Sequence, residues 1–485
     1  MYASDDYEKK PRPSVSDTAQ PAARISGDSE GYHTTAADTE KNPLNKAGQN
    51  ASVTAHSTSA SDEFDVYGNE ETADIQYRTM VWWKAAALML AETVSLGRWE
   101  WSRDAFLLLQ GLGILATITG YVIGSFKLRY PHVHNMADAG EILFGPIGRE
   151  VLGAAQVLFI VFLCGSHVLT GMIAFDTITG GASCSVVWAF VSAIICLVLT
   201  IPRTLDRIAF MSVVSFISII AAVMITMIGV GIAGHTGTVA VTSNLSFAKA
   251  FLAVTDIIFA YAGHVAFFTF ISEMRQPADF PKALFALQLA DTTLYLIVGI
   301  VVYAFVGDAA VSPALGNTGI TLRKIAYGIA LPTIVIAGVV NGHVCAKLVF
   351  VRIFRRNGMK SRHMNSHTVT GWATWIGIVT AIWAAAFVIA EVIPFFNDLL
   401  GVISSLFASW FTYGISGIFW FHMTPRAERW RTPRQKVYTL FWGFIVMMGA
   451  FIMVAGLYAS IASIIDGYKN GGFPGPFSCS SRALL

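Results

Sequence analysis

The sequence predicts an all-α integral membrane protein of about 11 transmembrane helices, and three observations carry that expectation. Of the 485 residues, 54% are hydrophobic and only 13% are charged, about half the charged share of a soluble domain. The apolar residues gather in stretches close to the ~20 residues that cross a bilayer as a helix. Lys and Arg collect on alternate connections between those stretches, the pattern that fixes orientation across a membrane. Net charge is +2, so nothing points to nucleic acid.

Residues 1–78 are rich in Ser, Thr, Ala, Asp and Glu and poor in large aliphatics. Such a segment buries too little surface to offset its chain entropy, and a disordered cytosolic tail is expected. Its start, "MYASDDYEKKPRPSVSDTAQ", has no apolar core of the kind a secretory signal needs. The sequon Asn50-Ala-Ser would be silent there. The apolar stretches follow at 80–97, 105–126, 150–176, 184–201, 208–233, 250–272, 285–307, 325–351, 369–391, 395–421 and 437–465. The first is the weakest, with Lys84 and Glu92 inside it and "RWEWSRD" after it. The ninth and tenth nearly touch, joined by Glu391 to Pro394, which predicts a tight hairpin. Residues 79–466 thus form the transmembrane domain and 467–485 a short extracellular tail.

The connections at 127–149, 202–207, 273–284, 352–363 and 422–436 hold 17 Lys or Arg, and those at 177–183, 234–249, 308–324 and 392–394 hold 3. That asymmetry predicts a cytosolic N-terminus and, with an odd number of spans, an external C-terminus. Asn244-Leu-Ser then falls on an outer loop, open to glycosylation. Five cysteines do not make a disulfide framework in a chain this long. Three of them, Cys164, Cys196 and Cys345, lie in apolar runs and read as small buried hydrophobes. No cofactor is expected, and no connection is long enough to hold a soluble catalytic domain.

Polar interruptions inside a span are costly and mark cavities or pathways. The sixth span carries Asp256 and then Tyr261-Ala-Gly-His264 before returning to apolar residues. Glycine there permits non-helical backbone, which releases amides and carbonyls to a ligand. The first span has a similar interruption, "AETVSLG" at 91–97. Interrupted segments in corresponding positions of two halves point to a secondary transporter's site. Spans 1 and 6 would then open the halves of a five-plus-five inverted repeat, with span 11 appended. Broken-helix amide dipoles suit a carboxylate and freed carbonyls suit an ammonium, which together describe an amino acid.

Alternatives stay open at each position. His264 serves equally as a histidine bonded by a neighbouring helix. Asn341 and His343 in "VVNGHVCAK" fit ion coordination or close packing through Gly342. Glu92 titrates as a proton carrier or sits near the cytosolic edge. Asn397 and Asp398 read as interfacial, and His132 and His134 as cytosolic loop contacts rather than metal ligands. A membrane enzyme such as an acyltransferase would need a His/Asp cluster at one face. The cytosolic loops offer only His132, His134, His363 and His367, so an enzyme is not expected.

The segments "AETVSLG", "GLGILATITGYVIGSFKLRYPHVHNMADAGEILFGPIGRE", "IPRTLDRIAFMS", "FAYAGHVAFFTFISEMRQPADFPKAL" and "VVNGHVCAKLVFVRIF" together resemble the amino acid/auxin permease family. The likeness covers roughly residues 75–466 and is strongest to neutral amino acid permeases of filamentous fungi, including the methyltryptophan-resistance type. It implies a leucine-transporter (LeuT) type fold and proton-coupled uptake of neutral and aromatic amino acids at the plasma membrane. A vacuolar transporter, or a nutrient sensor of the same fold, is the alternative. By position it implies substrate contacts at Thr93, Ser95 and Gly97 in span 1 and at Phe259, Tyr261, Ala262, Gly263 and His264 in span 6. It also makes Asn341 a candidate for ion coupling, beside Glu92, with a proton or sodium as the ion.

One block departs from the resemblance. After "AETVSLG" the family continues with an apolar stretch that forms the outer half of span 1. Here the chain reads "RWEWSRDAFLLLQ", with Arg98, Glu100, Arg103 and Asp104 in 13 residues. A disabled first helix is the expectation.

Overall fold

A computed structural model of the chain describes residues 78, 80–93, 103–203, 206–239, 246–311, 313–356, 363, 367–393, 396–469 and 475–479. These residues are helical apart from their connections and one parallel bridge between Met80 and Met274. In chain order the helices are α1 (Trp82–Thr93), α2 (Arg103–Arg129), α3 (Met136–Thr179), α4 (Ser185–Thr200) and α5 (Asp206–Ala233). They continue with α6 (Phe247–Ala260), α7 (His264–Glu273), α8 (Phe280–Val306), α9 (Ile320–Arg356) and α10 (Val369–Val392). The last span is preceded by α11 (Phe396–Ile403), a π-helical segment (Ser404–Gly414) and α12 (Ile415–Met423). It is α13 (Pro433–Lys469). Every expected span has a helix at its place, and nine stretches among the described residues are long and apolar enough to cross a bilayer.

Two elements differ from the sequence reading. α3 begins 14 residues earlier than expected because helix continues through a kink at Gly145, whose φ is +68°, followed by Pro146. A left-handed glycine turns the chain at no steric cost. The short leg Met136–Phe144 folds back so that Gly140 meets Gly148, each leaving no room for a Cβ on the other. Asn135 caps this leg by accepting from the Asp138 amide at 2.9 Å. The second difference is the π-helical segment in span 10. Two of its three serines bond back to their own helix, Ser405 to the Gly401 carbonyl at 2.6 Å and Ser409 to that of Ser405 at 2.7 Å. Gly449 of α13 lies against Gly414, where a Cβ would come within 3.0 Å of its backbone. Wide π turns occur often at functional positions.

The helices also show which faces meet lipid. On α13, Val437, Phe444, Met447, Phe451, Val454 and Tyr458 are exposed along one stripe. The opposite stripe, Gly449, Ala455, Gly456, Ala459 and Ser460, is buried against the π-helical span. Small residues at a helix seam allow the close approach that drives packing in hydrocarbon. By contrast the apolar windows of α9 and of the α11–α12 span are each 83% buried, so these two lie inside the bundle.

Cys164, Cys196 and Cys345 are buried and lie outside any disulfide. The remaining pair, to which the sequence assigns no role, forms a disulfide between Cys184 and Cys479 with Cα atoms 4.5 Å apart. The tail around it also docks through Ser185, whose hydroxyl donates to the Ser478 carbonyl at 3.3 Å, and through Phe477 against Phe387.

Candidate functional site

The break in span 6 is three residues long. Tyr261 leaves the helical register at φ −105°, ψ 13°. Its amide donates to the Ile258 carbonyl at 3.2 Å, and the Ala262 amide to that of Phe259 at 3.0 Å, both tightened turns. Gly263 sits at φ −68°, ψ −10°, a right-handed conformation open to any residue. The turn as described does not call on glycine's freedom to take a positive φ.

The side chains of the break point in two directions. Tyr261 is buried, its ring edge-on to Tyr295 at 5.8 Å and its hydroxyl 3.4 Å from Thr292 Oγ1. Gly113 of α2 makes this possible, since a Cβ there would come within 2.8 Å of that hydroxyl. The Tyr295 hydroxyl in turn donates to the Ala260 carbonyl at 3.1 Å, satisfying one acceptor that the break would orphan. His264 is fully buried. Its Nε2 donates to the Ala116 carbonyl of α2 at 2.8 Å and lies 3.1 Å from Thr119 Oγ1, with Phe267 against the ring at 4.7 Å. The alternative of a histidine held by a neighbouring helix thus describes its bonding.

Phe259, Ala262 and Gly263 face the other way. All three are half-buried, while Thr255–Ile258, Ala260, Tyr261 and the whole of α7 are buried. Between Thr255 and Glu273 these three are the only residues that are not buried. Opposite them, α3 is pinned by Gln156, which is completely buried. Its Nε2 donates to the Val265 carbonyl at 3.0 Å, and its Oε1 accepts from the Met136 amide at 3.0 Å. On the next turns of α3, Phe159 and Phe162 pack against Phe407 and Phe411 of the π-helical segment at 5.8 to 6.1 Å. This aromatic wall begins one turn along α3 from Gln156, which bonds the Val265 carbonyl just after the break. Gln156→Leu is expected to orphan the Met136 amide at about 1–3 kcal/mol and to take a second donor from the Val265 carbonyl, lowering the melting temperature of the detergent-purified protein. An unchanged melting temperature would show that Gln156 does not pin α3.

The remaining expected residues are spread more widely. Glu92 and Thr93 close α1, which packs chiefly on α5 and α8. Ser95 and Gly97 lie outside the described residues. Asn341 is buried, and its Nδ2 donates to the Ala337 carbonyl of its own helix at 3.0 Å. Beside it Gly342 and Gly338 admit the Trp383 ring, where Cβ atoms would approach to 2.9 and 3.3 Å. The packing role for Gly342 has a partner. Asp398, expected at the interface, is instead buried and bonded to Ser463 of α13. His134 is buried as a loop contact, with Nδ1 2.9 Å from Ser272 Oγ and 3.2 Å from Lys127 Nζ. Among the described residues no group of three or more His, Cys, Asp or Glu is arranged to hold a metal.

Sequence reasoning misses several buried polar residues. Asp291 neighbours Thr292 on α8, Glu391 lies near the end of α10, and Glu273 pairs with Lys347. Single charges in apolar runs are the available signal, but which helix each one meets is not written locally.

The fold and this site define a multi-pass, all-helical membrane protein with an interrupted central span. The sequence profile of the family described as transmembrane amino acid transporter protein matches residues 105–462, and the chain belongs to that family. It is 37% identical to the N amino acid transport system protein of Neurospora crassa over 429 residues, which are 84% of this chain and 90% of that protein. A transmembrane transporter of Fusarium pseudograminearum is 27% identical over 433 residues, 85% of this chain and 90% of that one. Among solved structures, the bromovinylhydantoin-bound closed form of Mhp1, a nucleobase-cation-symport-1 family transporter, is similar at a TM-score of 0.49 and 15% identity. That alignment covers 84% of this chain and 96% of Mhp1. Membrane transport of amino acids is the class of activity.

Proposed function

We propose that the chain is a proton-coupled importer of neutral and aromatic amino acids at the plasma membrane, built as a five-plus-five inverted repeat with one appended helix. Phe259, Ala262 and Gly263 face the substrate, Tyr261 and His264 hold the ends of the break, and Thr93, Ser95 and Gly97 supply the other half of the site. The observation that carries this reading is the half-exposed turn in an otherwise buried mid-span helix. The wall of Phe159, Phe162, Phe407 and Phe411 supports an apolar or aromatic side chain on the substrate. The wall itself is made of rings without a cationic side chain among them, in keeping with a neutral ligand.

The orientation has two supports. The basic connections favour a cytosolic N-terminus. The Cys184–Cys479 bond joins the α3–α4 turn to the C-terminal tail, so both belong to one side. Disulfides persist on the oxidising side of a membrane, which supports an external C-terminus.

Coupling rests on Glu92 as the carboxyl nearest the first interruption. Uptake of a labelled amino acid is expected to rise as external pH falls from about 7 to 5, because protonation of a carboxyl grows as pH approaches its range. A protonophore is expected to abolish it. Competition by unlabelled amino acids, run with and without sodium, reads the substrate class in the same assay. Uptake indifferent to pH and protonophore but dependent on sodium would move the coupling site to Asn341. Uptake confined to isolated vacuoles would overturn the plasma-membrane placement, and binding without uptake would favour a sensor.

A further inference from the structure

The cytosolic end of α7 carries three consecutive ties that the substrate site does not use. Ser272 Oγ lies 2.9 Å from His134 Nδ1 on the α2–α3 connection. Glu273 Oε1 accepts from Lys347 Nζ of α9 at 2.7 Å, with the two side chains only 3% and 11% exposed. Around Met274, the Met80 amide donates to the Glu273 carbonyl at 3.1 Å and the Arg275 amide to the Met80 carbonyl at 2.8 Å. The end of α7 is therefore fastened at once to the α2–α3 connection, to α9 and to the segment that leads into α1.

The chemistry of the middle tie decides what it does. A buried ion pair is a poor source of stability, because both charges lose water to form it. Removing one partner is nevertheless expensive, because the other charge is left buried alone. Such a pair is best suited to holding two elements in one of two arrangements. Here it joins the exit of the broken helix to α9, at the end where the basic connections cluster. The Met80 bonds would carry the start of α1 along with α7. The geometry points to Glu273–Lys347 as a latch that keeps the cytosolic exit of the site shut, opening when the pair separates. Both are positioning residues, acting through α7 and α9 rather than on substrate. This rests on the transport reading above, with the orientation given there.

The test is sided access to the break. Ala262→Cys in the full-length chain gives a thiol on the half-exposed turn. Its reaction with a membrane-impermeant maleimide is followed in sealed vesicles of each orientation, with the parent chain as the blank for native thiols. Adding Glu273→Gln is expected to raise reaction from the cytosolic face about tenfold or more, in line with one unpaired buried charge, and to lower it from the outer face. The exchange Glu273→Lys with Lys347→Glu is expected to restore the parent's asymmetry. If Glu273→Gln does not reach the membrane, Lys347→Gln reads the same equilibrium from the other partner. Reaction unchanged on both faces, or raised equally on both, would overturn the latch; equal gain is what a loosened fold gives. Uptake is measured separately, in the unmodified chain and in one with apolar residues in place of Arg98–Asp104. One-sided labelling with no uptake by either leaves the latch and removes the transport reading, whereas normal uptake with unmoved labelling removes the latch alone.

Discussion

Gly263→Leu is expected to cut amino acid uptake by about tenfold or more, the equivalent of about 1.4 kcal/mol, with surface expression unchanged. Gly263→Ala is expected to keep most of it. The contrast follows from two features of the turn. Gly263 already has a right-handed φ of −68°, so a Cβ imposes no backbone strain and alanine is tolerated. The residue is also half-exposed, with Ala262 beside it, in a stretch that is otherwise mostly buried, so a four-carbon side chain enters the space proposed for substrate. If alanine and leucine were equally damaging, backbone freedom would be the property that matters and the described turn would not be the working one. If leucine transported normally, the substrate would bind elsewhere.

The break itself is legible in the sequence, since glycine and histidine inside an apolar run violate the composition that hydrocarbon demands. The spans are legible for a related reason: bilayer thickness sets a length and hydrocarbon sets a composition, and both are local properties of the chain. The two faces of the break are not. Tyr261 and His264 turn inward because Gly113, Ala116 and Thr119 of α2 receive them, and the two bonds to His264 span 145 and 148 residues. The same reason hides the Glu273–Lys347 pair, the Gln156 bridge and the disulfide across 295 residues. The Gly145-Pro146 kink is a different case. Its signal, "FGPIG", is local, but it extends a helix into a connection that hydropathy alone would end. The π-helical segment has no local signature, because a glycine seam with α13 accompanies it.

Uptake by the chain with residues 98–110 as they stand is expected to be low, and an apolar replacement of Arg98–Asp104 is expected to raise it about tenfold or more. α1 ends at Thr93 after 12 residues, about 18 Å of helix, against a hydrocarbon core of ~30 Å. α2 starts at Arg103, and the site proposed above needs Ser95 and Gly97 from the short stretch between the two helices. Its sequence, "VSLGRWEWS", places Arg98 and Glu100 where lipid or substrate should be, and each charge costs about 2.5–3.5 kcal/mol near a helix centre. The chain matches the family profile from residue 105 onward and "AETVSLG" before the block resembles the family, which favours a change confined to one block. Gradual loss of function would scatter substitutions through the chain, whereas a displaced splice junction replaces one block cleanly. The messenger RNA is accordingly expected to encode a longer apolar stretch between Gly97 and Gly111, and sequencing it across that junction checks this directly. A transcript matching these residues, together with vigorous uptake, would mean that the outer half of span 1 is dispensable and that Ser95 and Gly97 are not substrate contacts.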